Sequence, residues 1–249
     1  MLFSGGLDSA VLLAEEAARA GASAPGDRSE LVQPIYVGVG LAWEAAERQA
    51  IVALLAAAPL AGRVRPLAAL TVDMRDVYAA THWAVAGAPP SYHTADEDVY
   101  LPGRNIILLG KAGVYCAAAT LDRLVLGTLE HNPFPDATPA FRSAMAQTLS
   151  LGLAHRLEIA APFADVSKAD VIRRGVALRV PFELTQSCMN PPKAGGRTPF
   201  SDQPCEKGGP PLLSVHCGVC SKCRERHDAF LEAGIEDPTA YADYRFVDA

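Results

Sequence analysis

The feature that most limits what this chain can become is an alternation. Short apolar runs of strand length are separated, as far as residue 178, by segments with helical periodicity. Met1 to Phe3 reads as a very short strand, and Leu7 to Ala20 carries apolar residues at helical spacing. Gln33 to Val39 (QPIYVGV) reads as a buried strand, and Ala42 to Ala57 as an Ala- and Glu-rich helix. Val64 to Val72 predicts a third strand, Asn105 to Thr120 a buried helix, and Arg123 to Gly127 (RLVLG) a further strand. Pro139 to Leu151 reads as helix, Leu157 to Ala160 as extended, and Lys168 to Leu178 as helix again. Strands separated by helix-length segments predict an α/β fold with a doubly wound, mostly parallel sheet. Ligands of such sheets bind at the carboxyl ends of the strands, where the strand order reverses. Met189 to Leu213, rich in Pro, Gly, Lys and Ser, breaks the rhythm and is expected to be an exposed irregular loop.

With 249 residues, half of them hydrophobic, the chain is long enough for one sizeable core with a small appendage. It has no apolar run long enough to cross a bilayer and no secretory leader pattern, so a cytoplasmic protein with no membrane partner is expected. A net charge of -6 argues against duplex DNA as the main partner, because such binders exploit a broad basic face. In a reducing compartment, six cysteines are not read as three disulfides. Cys116 stands alone and is expected to be a small buried hydrophobe, whereas Cys188, Cys205, Cys217, Cys220 and Cys223 crowd into one stretch. Such clustering points to metal.

Two short motifs carry chemistry. In Phe3-Ser-Gly-Gly-Leu-Asp-Ser9 the glycines bend the backbone and leave its N–H groups bare, two hydroxyls flank them, and a helix begins. Bare amides at the positive end of a helix dipole form an anion cradle. The pattern is neither Walker A nor GxGxxG. An aspartate inside such a cradle makes sense if Mg2+ bridges Asp8 to phosphates. The plainer reading is a tight strand-to-helix turn with Ser4 or Asp8 as its cap. The second motif, Cys217-Gly-Val-Cys220-Ser-Lys-Cys223, puts three thiolates on a turn running into a helix. Zn2+ takes four tetrahedral ligands, so a fourth must come from elsewhere, with Cys188, Cys205 and His216 as candidates.

These strings carry a family resemblance. The Ser4 to Ser9 loop is similar to the SGGxDS pyrophosphate loop of the PP-loop ATP pyrophosphatases, which cleave ATP between the α- and β-phosphates. With it, Val99 to Leu109 (VYLPGRNIILL), Val166 to Gly175 (VSKADVIRRG), Leu184 to Cys188 (LTQSC) and His216 to Phe230 (HCGVCSKCRERHDAF) resemble, in order, segments of the 7-cyano-7-deazaguanine synthases, the QueC or ExsB-like enzymes. The resemblance implies a PP-loop ATP-binding domain over residues 1–183 and a zinc-binding C-terminal segment over residues 184–249 packed on it. It implies that Phe3, Ser4, Gly5, Gly6, Leu7, Asp8, Ser9, Gly103, Arg104, Asn105 and Lys168 bind ATP, with Asp8, Arg104 and Lys168 catalytic. It assigns Zn2+ to Cys188, Cys217, Cys220 and Cys223, leaving Cys205 a bystander, and suggests a homodimer. The implied reaction is ligation: 7-carboxy-7-deazaguanine is adenylated by ATP and, with ammonia, becomes the nitrile of queuosine biosynthesis. The length leaves no room for a glutaminase domain, so nitrogen is expected as free ammonia or an external amine.

Where the family's substrate strand reads G-x-N-x-x-D-Y-S-G-Y-P-D-C-R, Gly127 to Pro139 reads GTLEHNPFPDATP. Phe134 and Asp136 survive from the aromatic-Pro-Asp core and are the expected substrate contacts. Gly38 to Trp43 (GVGLAW) replaces polar D-Y-G-Q-R-H, and the first strand is clipped, so a true start upstream of Met1 is expected. The altered wall also suits a relative that hands the adenylated carboxylate to a different amine. tRNA thiolation would want a basic RNA surface, and a non-enzymatic zinc module would leave the SGGLDS string without a purpose.

Overall fold

The computed structural model describes residues 1–23, 31–192 and 215–246. The segment that organises them is the shortest. Met1 to Phe3 lies between two parallel strand pairs: Leu2 bridges Ile35 on one side, and its N–H donates to Val125 O at 2.8 Å on the other. On the first side, β1 (Ile35–Gly38) pairs in parallel with β2 (Ala68–Thr71), Ile35 facing Ala68. On the second, β3 (Arg123–Val125) pairs in parallel with β4 (Glu158–Ala160), Arg123 facing Glu158. The strand order is therefore β2, β1, residues 1–3, β3, β4, which reverses direction beside the amino-terminal segment.

Helices cover both faces. α1 (Leu7–Ser23) is buried nearly all round through Leu7, Ala10, Val11, Leu12 and Leu13, wedged between the sheet and α6 (Lys168–Ala177). Each such aliphatic side chain contributes roughly 1.5–3 kcal/mol by leaving water. α2 (Glu44–Ala56) shares this layer through Ile51 and Leu54, and α7 (Ser221–Ala233) packs on α6 and contributes Phe230. The opposite layer holds α4 (Arg104–Ala118) and α5 (Pro139–Leu153), with Leu109, Ala112 and the fully buried Cys116 against Leu124 and Leu157. A short α3 (Trp83–Ala86) and a small parallel pair, β5 (Val215–His216) with β6 (Ala240–Tyr241), complete the described elements. No helix among the described residues is long and apolar enough to cross a membrane.

Caps fix several helix starts. Thr138 accepts from Phe141 N–H ahead of Pro139, and Ser167 accepts from Asp170 N–H. The third expected strand is shorter than its apolar pattern, because Val64 makes only an isolated bridge to Val32 before β2 begins at Ala68. The expected loop from Met189 corrects at its start: Met189 is buried in the core under α4. Residues 193–214, including Cys205, lie outside the described residues.

Candidate active site and metal centre

The carboxyl ends of the central segment, β1 and β3 open into one cavity of about 320 Å³. At its floor the chain turns from Phe3 into α1. Gly5 sits at φ +75°, and a Cβ there would meet Ile51 Cγ1 at 3.0 Å and Glu47 O at 3.1 Å, so the bend requires glycine. Gly6 N–H donates to Ser4 Oγ at 3.3 Å, Ser9 Oγ donates to Gly6 O at 3.0 Å, and the two hydroxyl oxygens lie 3.3 Å apart. Gln186 N–H ties the loop from behind by donating to Gly5 O at 2.8 Å. The leading amides of α1 have no acceptor within their own helix, and Gly6, Asp8 and Ser9 at that end line the cavity.

Asp8 stands in the first turn of α1, where the helix dipole favours a carboxylate. Its Oδ2 accepts from Lys168 Nζ at 3.2 Å, while its buried Oδ1 has no partner among the described residues. Lys168 also bonds Glu225, and Glu225 takes Lys222 as a second partner. Burial pulls the Lys168 ammonium down, but Asp8 and Glu225 outweigh it and hold it above the ordinary lysine value. Burial pushes Glu225 up, and the two lysines reverse that, holding its carboxyl well below the usual range.

Of the residues expected from sequence, Phe3, Ser4, Gly6, Asp8, Ser9, Arg104, Asn105, Phe134 and Asp136 line this single cavity. Gly5 and Gly103 shape turns beside it, Leu7 points into the core, and Lys168 stands behind Asp8. Asp136 is engaged within the protein: its Oδ2 accepts from Asn105 N–H at 3.1 Å and its Oδ1 from Asn105 Nδ2 at 3.3 Å. That carboxylate caps α4, whose own N-cap Gly103 offers no side chain.

Residues with no motif around them complete the wall. Trp43 stacks on Trp83 with centroids 5.8 Å apart, and Tyr100 stacks on Phe134 at 5.1 Å, so aromatic pairs flank the cavity. Buried Glu47 accepts from Tyr36 Oη at 2.9 Å and from Trp43 Nε1 at 3.2 Å. Burial raises its pKa, and nearby Arg104, whose buried Nε has no protein partner, pulls the other way. The four-residue spacing of Trp43 and Glu47 on one helix face was the available signal for this pair. Tyr100 and Lys222 stand inside the VYLPGRNIILL and HCGVCSKCRERHDAF strings without being set apart by them, and Trp83 had no signal.

The second centre is a cluster of buried thiols. The sulfurs of Cys188, Cys217, Cys220 and Cys223 all lie within 4.8 Å of one another, with Cys217–Cys223 at 3.8 Å and Cys220–Cys223 at 3.5 Å. A tetrahedron with Zn–S bonds of about 2.3 Å has edges of about 3.8 Å, so the donor set fits zinc. Backbone N–H groups of Asn190 and Cys217 point at Cys188 Sγ, each at 3.2 Å, as suits a thiolate. Gly218 makes the knuckle possible: at φ +79°, a Cβ would fall 1.8 Å from Asp243 O. Of the fourth-ligand candidates, Cys188 completes the set, and His216 Nε2 instead accepts from Ser187 N–H at 3.0 Å.

A parallel α/β sheet with a cavity at its switch point, a glycine-bent loop on its floor and a four-cysteine knuckle beside it defines a doubly wound α/β protein with a ligand cavity and a cysteine cluster that fits zinc. The chain belongs to the family described as queuosine biosynthesis protein QueC, whose model matches residues 88–234, and this membership implies a PP-loop α/β fold. Among its relatives, a 7-cyano-7-deazaguanine synthase of Methanopyrus kandleri is 37% identical over 152 residues, covering 58% of this chain and 59% of the relative. Synthases of the same name from Oceanobacillus iheyensis and Thermoplasma volcanium are 35% and 31% identical, over 58% and 61% of this chain and 59% and 58% of the relatives. The chain thus spans a little under three-fifths of the length of the relatives it matches.

Proposed function

We propose that the chain is an ATP-dependent ligase that converts 7-carboxy-7-deazaguanine and ammonia to 7-cyano-7-deazaguanine, the activity named for its relatives. The observation that carries this is the floor of the cavity: the amino-terminal end of α1, two hydroxyls and an Asp8 oxygen without a partner among the described residues, facing a space flanked by stacked aromatic rings. The loop at residues 4–9 precedes the matched segment, so its assignment rests on its own sequence and geometry.

In this reading, Ser4, Gly6, Ser9 and the α1 amides hold the β- and γ-phosphates, and Asp8 Oδ1 holds magnesium, which supplies positive charge to the departing pyrophosphate. Phe3, Gly5, Leu7, Gly103 and Asn105 shape the nucleotide pocket, Arg104 and Lys168 balance phosphate charge, and Phe134 stacks against the heterocycle. The substrate carboxylate attacks the α-phosphorus and releases pyrophosphate. Ammonia then attacks the acyl carbon, AMP and a proton depart, and an amide remains. The amide oxygen attacks the α-phosphorus of a second ATP and releases a second pyrophosphate, and loss of AMP with the two remaining N–H protons gives the nitrile. Side-by-side placement of the reactants contributes much of the acceleration. Cys188, Cys217, Cys220 and Cys223 hold a structural Zn2+ in a closed site that ties the 184–249 segment to the 1–183 domain. The enzyme works in the cytoplasm, as a homodimer.

A second reading changes only the acceptor amine. It draws support from the apolar Trp43 and the replaced Gly127 to Pro139 wall. Incubation with Mg-ATP, 7-carboxy-7-deazaguanine and ammonium separates the two. The synthase yields AMP, pyrophosphate and the nitrile, whereas a halt at the adenylate or amide favours another amine. ADP in place of AMP refutes both.

A further inference from the structure

The zinc knuckle delivers something to the cavity. Lys222 lies between Cys220 and Cys223 in the first turn of α7, and its side chain lines the same cavity as Ser4, Gly6, Asp8 and Ser9. Among the described lining residues the cations are Arg104 and Lys222, set against the carboxylates of Asp8, Glu47 and Asp136. Arg104 lies near Glu47, and Asp136 is engaged by Asn105. An ATP phosphate tail adds several negative charges, and Lys168, which helps to balance them, is already divided between Asp8 and Glu225, leaving room for one more cation.

The local charge arrangement sharpens this. Lys168 opens α6 and Lys222 sits in the first turn of α7, and a cation at either place opposes the helix dipole unless an anion is close. Glu225 is the one carboxylate that both lysines share, and Asp8 serves Lys168 alone. Lys222 is thus half-satisfied: its ammonium has three donors and, among the described residues, one ion-pair partner, and its side chain is 30% exposed and lines the cavity.

We infer that Lys222 is a phosphate-contacting residue of the nucleotide site, carried into place by the knuckle that flanks it. The inference rests on the reading of the Ser4 to Ser9 loop as a phosphate cradle. Glu225, bonded to both lysines, is the partner that Lys222 would share with a bound polyphosphate.

The test is calorimetric titration of the zinc-loaded chain with magnesium pyrophosphate, alongside zinc content and the KM for ATP. One charge-assisted contact corresponds to roughly a ten-fold change in affinity. Lys222→Ala is expected to weaken pyrophosphate binding and raise the KM for ATP by about that factor while keeping its zinc, and Lys222→Arg to restore most of the loss. Unchanged affinity in Lys222→Ala, with wild type binding normally, overturns the inference and leaves the loop reading intact. Loss of zinc in Lys222→Ala also overturns it, since the lysine would then serve the knuckle. A wild-type chain that binds no pyrophosphate brings down the loop reading and this inference together.

Discussion

Arg226 is the fully buried cation that binds the C-terminal helix to the body of the protein, so its removal tests how the two motifs are coupled. Its guanidinium stacks over Phe230, with Cζ 5.3 Å from the ring centroid. It donates to Thr239 Oγ1 at 2.5 Å, Thr185 Oγ1 at 2.7 Å, Ser187 Oγ at 3.3 Å and Phe182 O at 2.9 Å, with Asp237 at 3.8 Å. The segment it grips, residues 182–187, ties the loop through Gln186 and leads into Cys188. Arg226→Met keeps most of the volume but leaves those acceptors buried without their donor and takes away the cation beside Asp237, whose other partners include Thr239 and Tyr241. Breaking a buried pair from one side costs about 3–5 kcal/mol. For a chain of this size each kcal/mol moves the melting point by about 2–4 °C, so the variant should melt roughly 6–20 °C lower. Arg226→Lys should recover less than half, because one ammonium cannot span a fork that reaches from Thr239 to Phe182. The assay is calorimetric melting of zinc-loaded protein with metal content measured in parallel. A methionine variant melting within about 3 °C of wild type would show that the network is ornamental and the coupling argument wrong.

Asp8→Ala should abolish ATP cleavage while the melting point and zinc content stay near wild type; normal AMP release would remove the loop from the mechanism. Cys220→Ala should lose its zinc and much of its stability, since a structural site without its metal cannot hold its loops together, whereas Cys205→Ala should retain a full equivalent by metal analysis. Burial raises the Glu47 pKa above its unfolded value, so the folded state binds the extra proton and wild type loses stability as pH rises from about 4.5 through the folded pKa. The melting point of Glu47→Gln relative to wild type should therefore climb as pH rises above about 4.5, and a flat difference would mean that Glu47 is ionised at no cost.

Family membership and the metal ligands were legible because each depends on neighbours in sequence. A knuckle needs closely spaced cysteines, and a phosphate-type turn needs its glycines and hydroxyls in one run, so SGGLDS and CGVCSKC announce themselves. Periodicity likewise placed α1, α4, α5 and α6 close to their observed bounds. It overstated the third strand, because an apolar pattern does not reveal where a partner strand stops. It did not show that Asp136, which lines the cavity, also caps α4, since only folding brings Asn105, 31 residues away in sequence, against it.

Alone, then, the residue order determined the alternating fold, the bend after Phe3 and three of the four sulfurs, each set by backbone geometry within a few positions. Tertiary structure decided which distant groups share a space. It chose Cys188 over His216, turned Glu47 beside Arg104, placed Glu225 between two lysines from different helices, and brought Lys222 to the cavity from the far end of the chain. The physical reason is that a charge or a thiol takes its meaning from the partner that replaces its water, and chain order does not name that partner.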